Sequence, residues 1–288
     1  MQQLVSIILP AYNAQVFLEE TIQSVLSQTY PYWELIIVND GSTDETTNII
    51  NTFASADKRI IPVHKPNSGV SDSRNSGRKY AKGELFFFLD SDDVWNPDNI
   101  EKKVKFLQSP LYDAVFSACL IINEKSETKN RFLKGSSNFT LNDLLLAKGN
   151  YTTAPSGIAV KKSVFNSISG FDVNLSNNAD TDFFMQLLSV GKKIGYTNEV
   201  LWKYRVHEGN MSKNVTLLEK DILYLYRKAE KNNLFESIAF KRKCFSNIYM
   251  VLAGSWWHDG KNKIKGIVYV IRAFLCYPPI LRKLLTKF

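Results

Sequence analysis

Residues 35–45 read Leu-Ile-Ile-Val-Asn-Asp-Gly-Ser-Thr-Asp-Glu, and this stretch decides the fold class. The run Leu35 to Val38 is too short for a buried helix and right for a strand covered on both faces. Asn39-Asp40-Gly41 breaks the run. Ser42-Thr43-Asp44-Glu45 then has the spacing of a capping box, opening a helix with Ile49, Ile50 and Phe53 inward. A buried strand followed at once by such a helix is the repeating unit of a parallel α/β sheet.

The alternation extends outward in both directions. Upstream, Val5 to Leu9 is a strand, and Leu18, Ile22, Val25 and Leu26 recur at helical spacing. Downstream come a strand at Ile60 to His64, a helix from Val70 to Ala81 and a strand at Leu85 to Leu89. Asn96-Pro97 reads as an N-cap with a proline at the first helical position, followed by Ile100, Val104 and Leu107 on the inner face. Ala114 to Ile122 is another strand, and Asn123 to Asn138 is polar enough for an exposed loop. The segments 157–160, 163–168, 180–190 and 199–204 continue a mixed α/β pattern, and from Leu217 onward the period is helical. The expected organisation is an α/β domain over residues 1–213 and a helical extension over 214–288.

The chain has 288 residues, 44% hydrophobic and 22% charged, which excludes disorder, collagen and small disulfide scaffolds. Cys119, Cys244 and Cys276 are far apart among apolar neighbours and read as reduced core residues in a reducing compartment. The first ten residues have no Lys or Arg and only a short apolar run, so no signal peptide or anchor is expected there. The sequons beginning at Asn138, Asn150, Asn210 and Asn214 read as chance in an Asn-rich chain. The net charge of +8 is concentrated at the end: Lys261, Lys263, Lys265, Arg272, Arg282, Lys283 and Lys287 follow Asp259 with no acid among them.

Polar clusters follow three of the expected strands: Pro10-Ala11-Tyr12-Asn13, Asn39-Asp40-Gly41-Ser42 and Asp90-Ser91-Asp92-Asp93. Each alone could be a turn, but ligands of open α/β sheets bind beyond the carboxyl ends of the strands, and three in succession point to a site. Three carboxylates within four residues repel unless solvated, capping a helix or neutralised by a cation. An Asp-x-Asp without neighbouring His or Cys suits Mg²⁺ or a similar hard ion held together with substrate phosphates.

With these clusters in view, the sequence resembles a family 2 glycosyltransferase of the GT-A fold. The resemblance rests on VSIILPAYNA at residues 5–14, SVLSQTY at 24–30, IIVNDGSTD at 36–44, NSGVSDSRNSG at 67–77 and FLDSDDVWNP at 88–97. GFD at 170–172 and YRVHEGNMS at 204–212 continue it in the same order. The fold implied is a mostly parallel sheet flanked by helices. The donor implied is a nucleotide-diphosphate sugar, a UDP-hexose, with Asp40 at the base, Arg74 nearby and Pro10, Tyr12 and Asn13 lining the nucleoside pocket. Asp90 and Asp92 match the family's Asp-x-Asp: Asp92 as ligand of Mn²⁺ or Mg²⁺, Asp90 toward ribose or metal, Asp93 in support. Arg205 and His207 match the motif that closes over the diphosphate, whereas Asp172 and Trp95 read as structural.

Inverting transfer needs a carboxylate to take the acceptor's proton and stabilisation of the leaving diphosphate. The family usually offers Glu-Asp for the first task, and this chain has Ala179-Asp180. Asp180 matches the position of the base and Asp182 a second acid, while acceptor contacts of the missing glutamate are in doubt. As an alternative, Asp180 is simply a helix N-cap. The sugar and linkage depend on residues 119–157 and the surroundings of Asp180, for which one sequence offers no template.

Ile264, Ile267, Val268, Ile271, Phe274 and Leu275 share one helical face, and Leu281, Leu284, Leu285 and Phe288 repeat the pattern beside basic residues. Neither segment has the ~20 apolar residues of a membrane span. A basic amphipathic pair suits an anionic membrane surface; the alternative is packing on the α/β domain. The resemblance then implies a lipid-linked saccharide acceptor, bacterial surface polysaccharide synthesis and a peripheral position on the cytoplasmic face of the cell membrane. Nucleic acid is not expected, because no binding motif or stacking platform accompanies the basic tail. Two other readings stay open: a nucleotide-sugar-binding partner of another transferase, without turnover, and a phosphatase using Asp90 as nucleophile and Asp92 as acid. A dinucleotide fingerprint and a P-loop are both absent from the sequence.

Overall fold

The computed structural model describes residues 3–133, 139–147 and 153–280. The expectations for residues 281–288 and for the sequons at Asn138 and Asn150 lie outside the described residues. Contacts divide the chain into two units: Met1–Phe139, Asn150–Asn174 and Ala179–His207 in the first, and Thr140–Gly149, Leu175–Asn178 and Glu208–Phe288 in the second. Two internal segments thus belong with the second unit, which a boundary drawn along the sequence does not express.

The first unit begins as a run of strand and helix: β1 (Val5–Ala11), α1 (Leu18–Leu26), β2 (Trp33–Asp40), α2 (Thr46–Ala56), β3 (Ile60–Lys65), α3 (Val70–Arg78) and β4 (Leu85–Phe88). Every residue of β1, β2 and β4 is buried, as befits strands covered on both faces. Pro62 sits in β3, the edge strand, where its missing N–H costs no ladder bond on the open side. The unit continues through β5 (Val94–Trp95), α4 (Asn99–Leu107), β6 (Ala114–Ile122) and β7 (Thr128–Leu133).

In the second unit, α5 spans Leu141–Leu145, and the chain then returns to the first unit with β8 (Ile158–Lys161), α6 (Lys162–Phe165), α7 (Ala179–Ser189) and β9 (Ile194–Arg205). Among the described residues nine strands form one sheet, in the order β3-β2-β1-β4-β8-β6-β9-β5, with β7 paired to β6. The pairings from β3 to β4 are parallel; β8 lies antiparallel to both β4 and β6, so the sheet is mixed.

Among the differences from the sequence reading, three have a clear local reason. The helix expected at Ser42 starts at Thr46, because the Ser42 hydroxyl and the Asp44 carboxylate accept amides of the loop after β1. The helix expected at Asn96-Pro97 starts at Asn99, the Asn96 side chain instead donating to the Val200 carbonyl. Within the segment expected as an exposed loop, Thr128–Leu133 forms β7, an edge strand whose side chains are largely exposed and therefore polar.

The main core lies on the side of the sheet that receives α1 and α4, where Ile7, Leu9, Ile22, Leu35, Ile37, Phe87, Trp95, Val104 and Trp202 cluster. On the other side, α3 presses onto the sheet at Gly77. A Cβ there would meet Ile8 Cγ2 at 2.6 Å, so only glycine permits the approach. One turn before it, Arg74 is carried against the carboxyl ends of the strands.

Lys103 on α4 is fully buried, with no hydrogen-bond partner for Nζ among the described residues; Phe87 and Trp95 rings lie 5.9 Å away. Burial pushes its ammonium down from 10.5 to about 7. The unfolded chain therefore binds a proton that the folded chain lacks between about pH 7 and 10, and stability rises with pH across that window. Lys103→Met keeps the volume and removes the cost. A gain on the order of 3 kcal/mol at neutral pH, with the alkaline rise flattened, is expected in thermal or urea unfolding. An unchanged melting temperature at pH 7 would show that Lys103 is not held uncharged.

The second unit contains α8 (Val215–Lys231), α9 (Ile238–His258) and α10 (Lys263–Cys276). Its hub is Glu219, whose carboxylate accepts Tyr269 Oη (2.5 Å), Trp256 Nε1 (2.7 Å) and Lys265 Nζ (2.6 Å). On α8, Asp221 Oδ2 accepts the backbone amides of Ser176 and Asn177 (2.9 and 2.7 Å). Gly266, Tyr269 and Ala273 are the buried positions of α10, whereas Ile264, Ile267, Val268, Ile271 and Leu275 are exposed. Among the described residues no helix is long and apolar enough to cross a membrane. The cysteines are free: Cys119 and Cys244 buried, Cys276 partly exposed.

Candidate active site

The loops after β1, β2 and β4 meet at one edge of the first unit and are tied together by side chains the sequence had singled out. Asn13 adopts φ +47°; its amide donates to Ser42 Oγ (3.0 Å), and its Oδ1 accepts the Thr43 amide (2.9 Å). Pro10 is buried at the end of β1, and Tyr12 is 53% exposed. Asp40 is buried; its carboxylate accepts Lys65 Nζ and the amides of Ser68 (2.9 Å) and Gly69 (2.8 Å). Asp40 thus pins the loop that leads into α3.

Within the acidic cluster the three carboxylates have separate environments. Asp90 Oδ1 accepts Arg74 Nη2 at 2.5 Å; burial raises its carboxyl, Arg74 pulls it down and the Asp92 charge pushes it up again. Asp92 Oδ2 lies 2.9 Å from His207 Nε2, both groups partly open to solvent. Asp93 is 1% exposed and accepts Ser156 Oγ (2.5 Å) and the Arg205 amide (3.0 Å); burial, then the charges of Asp92 and Asp90, raise it well above the carboxylate range. The two outer carboxylates are thus claimed by protein partners, and Asp92 faces the imidazole.

The motif read as closing over the diphosphate divides in two. The Arg205 guanidinium is buried and donates to the carbonyls of Asp92 (2.7 Å) and Asn123 (3.2 Å), Ser126 Oγ (3.0 Å) and Glu20 Oε2 (2.6 Å). It clamps the backbone of the acidic loop to α1 and to the turn after β6. His207 is the member of the pair whose side chain meets a carboxylate of the acidic cluster.

Asp180 opens α7, partly buried, and feels the charges of Arg74 and Asp90, which ties it to the same site. Burial raises its carboxyl, countered by hydrogen bonds from Thr153 and Thr181. Asp182, 2% exposed, accepts Gln186 Nε2 (2.7 Å) from its own helix, and Gln186 also reaches the Gly170 carbonyl. Asp172 makes an Asx turn with Asn174, and Trp95 is buried with Nε1 on the Ser156 carbonyl.

Two supports were not legible beforehand. Thr21, inside α1, donates to the carbonyls of Ser91 (3.0 Å) and Asp93 (2.9 Å). Ser156 accepts the Asp90 amide (3.0 Å) while donating to Asp93. A lone hydroxyl in a helix period or an apolar run has no signature that separates such roles from ordinary packing.

Among the described residues no cluster of three or more His, Cys, Asp or Glu forms a metal cage. Asp92 and His207 nevertheless fit a divalent ion that takes its other ligands from substrate and water, since their donor atoms face each other and Asp90 is engaged by Arg74.

A family model described as glycosyl transferase family 2 matches residues 6–169. The putative teichuronic acid biosynthesis glycosyltransferase TuaG of Bacillus subtilis is 31% identical over 229 residues, 79% of this chain and 89% of TuaG. The chain belongs to glycosyl transferase family 2. In this family 2 glycosyltransferase the matched segment contains Asp40, Arg74, Asp90 and Asp92 and ends before Asp180, Arg205 and His207. The chain spans 48 to 64% of the length of three uncharacterized Rickettsia glycosyltransferases. Among solved structures, Staphylococcus aureus TarS 1-349 in complex with UDP aligns at TM-score 0.61 and 18% identity, covering 93% of this chain and 90% of that one. The mannosyltransferase PcManGT from Pyrobaculum calidifontis, in complex with GDP-Man and Mn²⁺, aligns at TM-score 0.65 and 19% identity, covering 100% and 79%. Both likenesses show the GT-A fold. Membership also removes the phosphatase reading, whose motif is here the fourth strand and acidic loop of a transferase.

Proposed function

We propose that this glycosyltransferase moves a hexose, with inversion, from a UDP-sugar to a hydroxyl of a lipid-linked saccharide in the synthesis of a surface polysaccharide. The observation that carries this reading is the arrangement at the acidic loop: Asp92 facing His207, Asp90 held by Arg74, and Asp180 within the same electrostatic field. The donor class is supported by the UDP bound to TarS and GDP-Man bound to PcManGT, and the product class by the teichuronic acid named for TuaG.

Asp92 and His207 would hold Mn²⁺, which when bound offsets the charge of the leaving diphosphate. Tyr12 stacks on the base, while Asp40 fixes the loop beside it. As the acceptor oxygen bonds to the anomeric carbon, the bond from that carbon to the diphosphate breaks and Asp180 takes the hydroxyl proton. Arg205, Thr21 and Ser156 hold the acidic loop still, so little reorganisation is left for the reacting state.

The test is a panel of UDP-, GDP- and dTDP-sugars, with and without Mn²⁺ or Mg²⁺, read by thermal shift and by slow donor hydrolysis. Stabilisation and hydrolysis with one UDP-sugar, dependent on Mn²⁺, is expected. Binding without any turnover, even with lipid-linked acceptors, would favour the non-catalytic partner; no binding of any sugar nucleotide would overturn the proposal.

The exposed face of α10 supports a peripheral place at an anionic membrane, because Ile264, Ile267, Ile271 and Leu275 are exposed in a segment with basic residues and no acid after Asp259. Ile267→Glu with Ile271→Glu is expected to weaken flotation with phosphatidylglycerol vesicles about tenfold or more, leaving donor hydrolysis unchanged. Equal flotation of variant and wild type would place the contact elsewhere.

A further inference from the structure

Both oxygens of the Asp180 carboxylate have donors. Oδ1 accepts the amide of Thr181 at 2.7 Å, and Oδ2 accepts the hydroxyl of Thr153 at 2.7 Å. The Thr181 bond is local to the first turn of α7. The Thr153 bond comes from a residue 27 positions earlier, outside the helix. Thr153 lies just before the turn Pro155–Gly157, whose Ser156 bridges the Asp90 amide and the Asp93 carboxylate. One short segment thus touches both the acidic loop and the carboxylate read as the base.

We infer that Thr153 is a positioning residue for Asp180: its hydroxyl fixes the rotamer of the carboxylate that accepts the acceptor's proton. The inference rests on the reading of Asp180 as base. A carboxylate oxygen has two lone pairs, so the bond to Thr153 leaves one on Oδ2 for an incoming hydroxyl. The charged neighbours of Asp180 are Arg74 on α3, which favours the anion, Asp90 after β4, which opposes it, and Asp182 on its own helix. Burial acts with Asp90, so the Thr153 hydroxyl offsets two influences that would hold the base protonated. Ala179, in place of the family's usual glutamate, supplies no donor or acceptor on that side, and the neighbouring hydroxyls of Thr153 and Thr181 lie 3.4 Å apart.

The test is the pH profile of donor turnover in Thr153→Val and Thr153→Ser, beside Asp180→Asn. Thr153→Val, which keeps the shape without the hydroxyl, is expected to move the acid limb up by about one pH unit and leave the high-pH plateau within a few-fold of wild type. Thr153→Ser should restore the limb, with donor KM unchanged in both variants. If valine does not fold, Thr153→Ala gives the same comparison. An unmoved acid limb in the valine or alanine variant would overturn the inference, as would a serine variant that shifts as far as valine. Turnover persisting in Asp180→Asn would instead remove the base reading itself, and loss of turnover in Asp180→Asn with an unmoved limb in Thr153→Val would remove only the role of Thr153.

Discussion

Asp180→Asn is expected to lower kcat by about 10³-fold, roughly 4 kcal/mol of barrier, while the affinity for the donor stays within a few-fold of wild type. The amide matches the carboxylate in shape. Its oxygen can still accept the Thr181 amide, and its nitrogen can donate to the Thr153 hydroxyl, so the start of α7 has no reason to move. What is lost is the ability to take a proton. The pH dependence follows with a definite sign: burial raises the Asp180 carboxyl above its ordinary value, so wild-type turnover falls as pH drops through that raised value and is flat above it. The same shift makes Asp180 a cost to stability at neutral pH, since the folded chain holds a proton that the unfolded chain releases at lower pH. Asp180→Asn should therefore melt slightly higher than wild type, the pattern of a residue kept for chemistry rather than for folding. Single-turnover kinetics and a melting curve check the two halves separately; retention of kcat in a folded variant would leave the transferase without this base.

How far the sequence reached depended on how each residue spends its polar groups. The strands β1, β2 and β4 were legible because burial on both faces writes a continuous apolar run, and the site loops were legible because each follows such a run. The hairpin strand β7 was not, since an exposed edge strand rich in Thr, Lys, Asn and Arg has the composition of a loop. Helix starts shifted for a related reason: Ser42 and Asn96 have the chemistry of caps, but tertiary partners claim them first. Arg205 was visible as a motif residue, yet its direction was set by Glu20, Ser126 and the Asp92 carbonyl, three acceptors far away in sequence. Residue identity marked the site; the orientation of each polar group depended on long-range partners that no spacing rule reports.

Asp92 and His207 provide the second large effect, and its logic is non-additive. Asp92→Asn is expected to reduce Mn²⁺-dependent turnover by about 10²- to 10³-fold, and His207→Gln by about 10- to 10²-fold, each with a raised Mn²⁺ requirement. Asparagine keeps one neutral oxygen and loses the charge that attracts the ion, whereas glutamine replaces a nitrogen donor that faces the carboxylate at 2.9 Å. If both side chains hold one ion, removing the second after the first has little left to remove. The double variant should then be no worse than Asp92→Asn alone, by contrast with the additive loss expected of independent sites. Asp93→Asn separates this from a general collapse of the loop. Asp93 is buried against Ser156 and the Arg205 amide and faces no solvent, so its neutral isostere should leave the Mn²⁺ requirement unchanged. A Mn²⁺ titration of donor hydrolysis across the four variants gives the answer: an unchanged requirement in Asp92→Asn, or additive losses in the double variant, would mean that Asp92 and His207 do not share an ion and that their contact serves only to close the loop.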